Sequence, residues 1–335
     1  MELESVTIVI PAHNRPNHLR RLLHYYEKVN VKILVTDSSK ISFPYLDEFP
    51  WLNYYHFPNE QFLRKIKNIL EYINTKYVVY CADDDFIVPQ GIEKVIHFLE
   101  RHPDYNSGQG HSVCFENKKK NIVFTPAYIR NFEKDINQEY PSERLIEFRN
   151  LYASLLYSVI RTSTFREMYL RCFDGDKLIF KNLFLAEAYF NFYSLIEGKN
   201  ITLPVFYGAR EMITGSARYT TIPLNVLQSS KEYEEEFNGF KNLVINQLIS
   251  KQKIELDFAR TLIEGLLANP KRDHIHPLKR FAINLLNNVF PSEAMNRIIS
   301  SRYRRKGLKI TKGMKSYPCT FSTPEKELII HHIKN

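Results

Sequence analysis

The first hundred residues switch repeatedly between two hydrophobic periods, and few folds accept that alternation. Val6 to Ile10 is a short β-branched run closed by Pro11, as a buried strand should be. Leu19, Leu22, Leu23 and Tyr26 then recur at i, i+3, i+4 and i+7, one face of a helix, with Pro16 near its first turn. A second apolar run, Val31 to Val35, ends at Thr36-Asp37-Ser38-Ser39. The stripe Phe62, Ile66, Ile69, Leu70 and Ile73 predicts another helix, Tyr77 to Cys81 another strand, and Ile92, Val95, Ile96 and Leu99 a further helix. Strand and helix in alternation predict a parallel, doubly wound α/β sheet, which binds ligands beyond the carboxyl ends of its strands. Two of those ends carry acids, at Asp37 and at Asp83-Asp84-Asp85.

Past about residue 105 the pattern changes. Segments 109–115, 121–125 and 152–160 read as strands, with Lys118-Lys119-Lys120 as a hairpin tip. Residues 178–197 read as a helix stopped by Gly198, and 201–207 as extended chain. Beyond Pro223 the pattern is mostly helical, which places a boundary near 215–225. A hydrophobic fraction of 44% with 25% charged residues excludes a disordered chain. Lys and Arg (46) outnumber Asp and Glu (37), and the resulting charge of +9 admits nucleic acid, an anionic membrane surface or an anionic substrate as partner. No stretch approaches the roughly 18 apolar residues of a membrane span, and Met-Glu-Leu-Glu-Ser is not a secretory leader. Cys81, Cys114, Cys172 and Cys319 lie far apart, as reduced thiols of a cytoplasmic protein would.

Asp83-Asp84-Asp85 is the strongest local signal. Three adjacent carboxylates repel one another, and a metal ion or solvent must offset that repulsion. One or two carboxylates plus phosphate oxygens are the usual setting for Mg²⁺ or Mn²⁺. An acidic, solvated turn is the bland alternative, and the position at a strand's end argues against it. There is no G-x-x-x-x-G-K-[ST] and no G-x-G-x-x-G, which argues against P-loop and Rossmann dinucleotide sites. His274, His276, His331 and His332 lack acidic or Cys neighbours at zinc-ligand spacing.

Three segments, TIVIPAHNRP (7–16), VKILVTDSS (31–39) and CADDDFIVP (81–89), together resemble the landmarks of family 2-type glycosyltransferases of the GT-A fold. Those are a first strand ending in a P-x-x-N-R-like loop, a second ending in an acidic turn, and a DXD metal motif with Pro four residues after its last acid. Asp85 to Pro89 has this spacing. The resemblance implies a GT-A domain over 1–222, with a donor half of about 1–105 and an acceptor half of about 106–222, and a helical, basic C-terminal extension over 223–335. It implies a Rossmann-like mixed sheet, and Mn²⁺ or Mg²⁺ held by Asp83, Asp84 and Asp85. Ala82 replaces the first acid of DXD, so Asp83 is the acid left for the ribose contact. Asp37 would meet the nucleobase and ribose, and Pro11, Ala12, His13, Asn14 and Arg15 would line the base. Lys67-Asn68 stands where the family has Arg-Asn, with Arg64 and Lys65 on the same helix.

The family's catalytic base stands eleven residues before a helix-ending Gly, which in this chain selects Glu187 before Gly198, with Ala186 in place of the preceding acid. Leu183, Leu185 and Ala188 give it apolar flanks suited to a base. Arg210 and Arg218 are candidates for the departing diphosphate, Arg218 lying in a segment faintly similar to the Q-x-x-R-W of related members.

The implied function is metal-dependent, inverting transfer of a sugar from a nucleotide-sugar donor, a UDP-sugar favoured, to an oligosaccharide or lipid-linked glycan. Its setting would be bacterial capsule, lipopolysaccharide or related surface-glycan synthesis. The alternatives are a retaining glycosyltransferase, a nucleotide-activated phospho-group transferase, and a degenerate glycan-binding member. The basic stretch 302–315 suits peripheral contact with the inner face of a membrane. Nucleic acid is not expected, since no recognition motif accompanies the charge.

Overall fold

The computed structural model describes residues 2–118, 121–127, 135–151, 154–212, 222, 224–268 and 324–334. The β-branched runs become strands: β1 (Val6–Ala12), buried throughout, β2 (Lys32–Asp37) and β4 (Tyr77–Tyr80), with β3 (Asn53–His56) between the last two in sequence. The apolar stripes become α1 (Pro16–Tyr26) and α3 (Pro89–Arg101), each opened by a proline in its first turn, where no N–H is needed. The stripe at 62–73 is not one helix. It is α2 (Phe62–Lys67) followed by a 3-10 turn at Leu70–Tyr72, because the N–H of Asn68 is shared between the Arg64 and Ile66 carbonyls and the helix tightens there.

Strands run in the order β3-β2-β1-β4-β8-β6-β11-β5, with β7 on β6. The remaining strands are β5 (Phe86–Ile87), β6 (Tyr105–Lys118), β7 (Asn121–Pro126), β8 (Val159–Arg161) and β11 (Lys199–Glu211). A separate hairpin joins β9 (Phe173–Asp174) to β10 (Lys177–Leu178) through Gly175 at φ +57°. The first four strands of the order are parallel, as expected. β8 then pairs antiparallel with both β4 and β6, and β5 antiparallel with β11, so the whole sheet is mixed. The strand expected over 152–160 shrinks to the three residues of β8, and the helix expected from 178 starts at 183.

Period-two alternation sends side chains to two cores. Ile8, Ile10, Ile33 and Val35 pack under α1 and α3, whereas Val9 and Leu34 face the opposite side. That second side is covered by α2, α5 (Thr162–Leu170) and α6 (Leu183–Glu197). The Asn182 side chain caps α6 by accepting from the N–H groups of Phe184 and Leu185, at 2.8 and 3.3 Å. At its far end a Cβ on Gly198 would stand 2.7 Å from that of Asn106, so only glycine fits. Buried Arg144, on α4 (Pro141–Leu151), donates to the last carbonyls of α6, Leu195 at 2.6 Å and Ile196 at 3.1 Å.

Past 223 the described chain is helical: α7 (Leu224–Ser229), α8 (Glu234–Gln252), α9 (Leu256–Leu267) and α10 (Pro324–Lys334). Phe237, Phe240, Val244 and Leu248 of α8 share one core with Phe180, Tyr189 and Phe192. α10 instead buries Ile329 and Ile333 in the other core, with His332 edge-on to Tyr25 of α1 at 5.7 Å. Cys81 and Cys172 are buried free thiols. No described helix is long and apolar enough to cross a membrane.

Candidate active site

Because β1, β2 and β4 are parallel neighbours, the segments after them emerge at one edge of the sheet. The loop after β1 meets Asp83, whose Oδ2 accepts the His13 N–H at 3.5 Å. Arg15 carries one terminal nitrogen, Nη1, to both neighbouring acids: 2.5 Å from Asp84 Oδ2 and 3.3 Å from Asp83 Oδ1. From the far side β11 arrives through its pairing with β5. There the Glu211 N–H donates to Asp85 Oδ1 at 2.8 Å, and Arg210 Nε stands 3.4 Å from Asp85 Oδ2. Arg210 also lies over the ring of Tyr157, 4.3 Å from its centroid. Arg21 of α1 ties the two halves, donating to the Asp84 carbonyl at 2.9 Å and to Glu211 Oε2 at 2.7 Å.

The three aspartates are all buried, at 3, 6 and 4% exposure, which sets their electrostatics. Burial pushes the Asp83 carboxyl up to about 7, with Arg15 pulling it down and Asp84 pushing it up. Burial and the Asp84 charge likewise raise Asp85 to about 7 against the pull of Arg210. Asp83–Asp85 and Glu211 thus face Arg15, Arg21 and Arg210 across one small volume.

The second strand's end is organised differently. Buried Asp37 accepts from the N–H and Oγ of Ser39, at 2.8 and 2.6 Å, and from the Tyr54 hydroxyl at 2.8 Å. It shapes its own turn. The Ser39 hydroxyl in turn accepts the N–H of Asn14, which adopts φ +56°, while His13 Nδ1 meets Ser38 at 3.0 to 3.1 Å. Pro11 and Ala12 are buried at the end of β1.

Of the cations on α2, it is Lys65 and not Lys67 that the fold brings here. Lys65 is 3% exposed, and its ammonium donates to the Ala12 carbonyl at 2.6 Å and to Ser38 Oγ at 3.1 Å. Burial draws it down to about 8, against the pull of Asp37 and Asp83. Lys67 points to the β9–β10 hairpin, 3.6 Å from Asp176 and over the Phe173 ring, because residues two apart on a helix face different ways. Glu187 is half-buried in α6 beside buried Leu185 and Ala186. Arg218, the lysine tip at 119–120 and the basic stretch 302–315 lie outside the described residues. Tyr157 and Arg21 carry no motif that marks them. Lys65 does carry a signal, a lysine on the apolar stripe of Phe62, Ile66 and Ile69.

A mixed sheet whose parallel half gathers a nucleotide-type loop and an acidic turn, with an antiparallel strand closing the site, is the GT-A arrangement. Residues 7–159 match the model of Glycosyl transferase family 2, and over that stretch the chain is similar to this family. No curated protein matches it in sequence. Similar solved structures include S. aureus TarS, at 12% identity and a TM-score of 0.48, covering 78% of this chain and 43% of that one. S. aureus TarS 1–349 in complex with UDP-GlcNAc gives 13% identity and a TM-score of 0.48, over 78% of this chain and 71% of that one. For the UDP complex the figures are 12% and 0.46, over 78% and 70%.

Proposed function

We propose that the chain transfers a sugar from a nucleotide-sugar donor, a UDP-sugar in the first instance, to a glycan hydroxyl with inversion. The transferase unit is assigned to residues 1–222. The observation that carries this reading is the buried Asp83-Asp84-Asp85 cluster at the end of β4, faced by three arginines and flanked by the loops after β1 and β2.

The donor set suits a hard divalent cation, since it offers carboxylate oxygens, two of which converge on a single nitrogen of Arg15. No group of three potential metal ligands stands together among the described residues. A protein contribution of one or two oxygens, from Asp84 with Asp83 or Asp85, fits that arrangement, and a donor diphosphate supplies the rest. Mn²⁺ or Mg²⁺ held there would supply positive charge to offset that of the diphosphate leaving group.

The chain's own residues supply the remaining functions. Glu187 accepts the proton of the attacking acceptor hydroxyl. Arg210, braced by Tyr157, and Arg218 meet the leaving diphosphate, where a guanidinium can bind two oxygens at once. Asp37 and Lys65 hold the loops of the nucleoside pocket. The acceptor is an oligosaccharide or lipid-linked glycan of a bacterial surface polymer, reached from the cytoplasmic face of the membrane.

A thermal-shift series with UDP, GDP, CDP, CMP and dTDP, each with and without Mn²⁺, tests the reading. A ligand of the native state raises the midpoint, so one nucleotide should stand out and only with metal. If none does, the donor-site assignment is wrong.

A further inference from the structure

One nitrogen of Arg15 occupies the point where the carboxylates of Asp83 and Asp84 come together, 3.3 and 2.5 Å away. A Mg²⁺ ion bridging those two oxygens, at about 2.1 Å from each, would stand where the guanidinium stands and be repelled by it. The position between the two carboxylates therefore holds one cation or the other. The two carboxylates are 5 and 8% exposed as side chains, and leaving them charged with no counter-ion at all is costly. Arg21 and Arg210 are fixed by other partners: Arg21 by Glu211 and the Asp84 carbonyl, and Arg210 by Asp85 and Tyr157. Arg15 differs. Its side chain is 27% exposed, and its ion-pair partners among the described residues are these two acids alone. It also stands in the turn between β1 and α1, beside the loop assigned to the donor.

We propose that Arg15 is a positioning cation with two stations. In the nucleotide-free protein it is the counter-ion of Asp83 and Asp84. When donor and divalent cation enter together, the metal takes that place and the guanidinium turns to the diphosphate, whose oxygens match its planar fork. This rests on the donor-site reading above, and it makes metal and nucleotide binding cooperative through a single side chain.

Mn²⁺ uptake by the full chain without nucleotide, followed by the loss of the free-ion electron paramagnetic resonance signal, tests it alongside calorimetric titration of UDP at saturating Mn²⁺. Arg15→Gln is expected to bind Mn²⁺ more tightly and UDP more weakly, each by about tenfold, the size of one charge-assisted contact. Arg15→Lys, whose point charge spans the two acids poorly, should move both affinities in the same directions by less. It is the fallback if Arg15→Gln fails to fold by circular dichroism. Opposite signs for the two ligands are not what a merely structural arginine would give. Unchanged or weaker Mn²⁺ binding in a folded Arg15→Gln overturns the proposal and leaves the donor site standing. A wild type that takes up neither Mn²⁺ nor UDP overturns both.

Discussion

Single residues at the end of β4 carry the proposed chemistry, and the burial of Asp83 and Asp85 makes them pH-sensitive. Asp83 and Asp85 are pushed from 3.8 to about 7, so between those values the folded chain holds protons that the unfolded chain has lost. Their contribution to stability is present below about pH 4 and is lost as pH rises through 7. A metal ion requires the ionised form and displaces those protons. The stabilisation by Mn²⁺ with UDP should therefore grow from pH 5.5 to pH 8, and an equal thermal shift at both would sink the assignment. Asp84→Asn should abolish the metal-dependent nucleotide shift and lower transfer by roughly 100-fold or more. Glu187→Gln should lower kcat by roughly 100- to 10,000-fold while donor binding, read by calorimetry, stays put. The acids and Arg15 were legible in the sequence because they sit next to strand ends. Choosing Lys67 over Lys65 came from matching a two-residue pattern, whereas helical spacing already put Lys65 on the apolar stripe. Tyr157 comes to Arg210 only through the tertiary fold, which no local pattern encodes.

Among the elements, the long ones were readable and the short ones were not. β1, β2, β4, α1 and α3 each bury enough periodic apolar surface to announce themselves. β5 and β8, two and three residues long, exist because neighbouring strands offer them partners, and they are what turns a parallel sheet into a mixed one. α6 shows how an element is ended by its surroundings. Arg144 donates to two of its terminal carbonyls from a buried position. Arg144→Met should strand those carbonyls and cost about 2 to 4 kcal/mol in urea denaturation. A loss under about 0.5 kcal/mol would mean that solvent replaces the arginine.

For the molecule as a whole, residue 222 marks a change of pattern, while the hydrophobic core runs across it. Phe237 and Phe240 of α8 complete the layer over Phe180, Tyr189 and Phe192 of the α/β part. A chain cut after 222 should keep its far-ultraviolet dichroism, lose its near-ultraviolet signal and bind a hydrophobic dye, as a loosely packed state does. A sharp cooperative transition from that fragment would show the helices to be dispensable. The helical character of the residues described past 222 was plain from the sequence. Its attachment was not, since amphipathic stripes reveal that a face is covered but never by what.

The docking of α10 on α1 has a consequence in time. The surface of α1 near Tyr25 and Tyr26 is finished by Ile329 and Ile333, about 300 residues further along the chain. At about 5 to 20 residues per second, a ribosome takes roughly 15 to 60 seconds to cover that distance. Throughout that interval the helix carrying Arg21, the anchor of the Asp84 carbonyl, waits with an uncovered apolar flank. The nascent chain thus offers a chaperone a binding surface throughout that interval, and the surface closes only when α10 emerges.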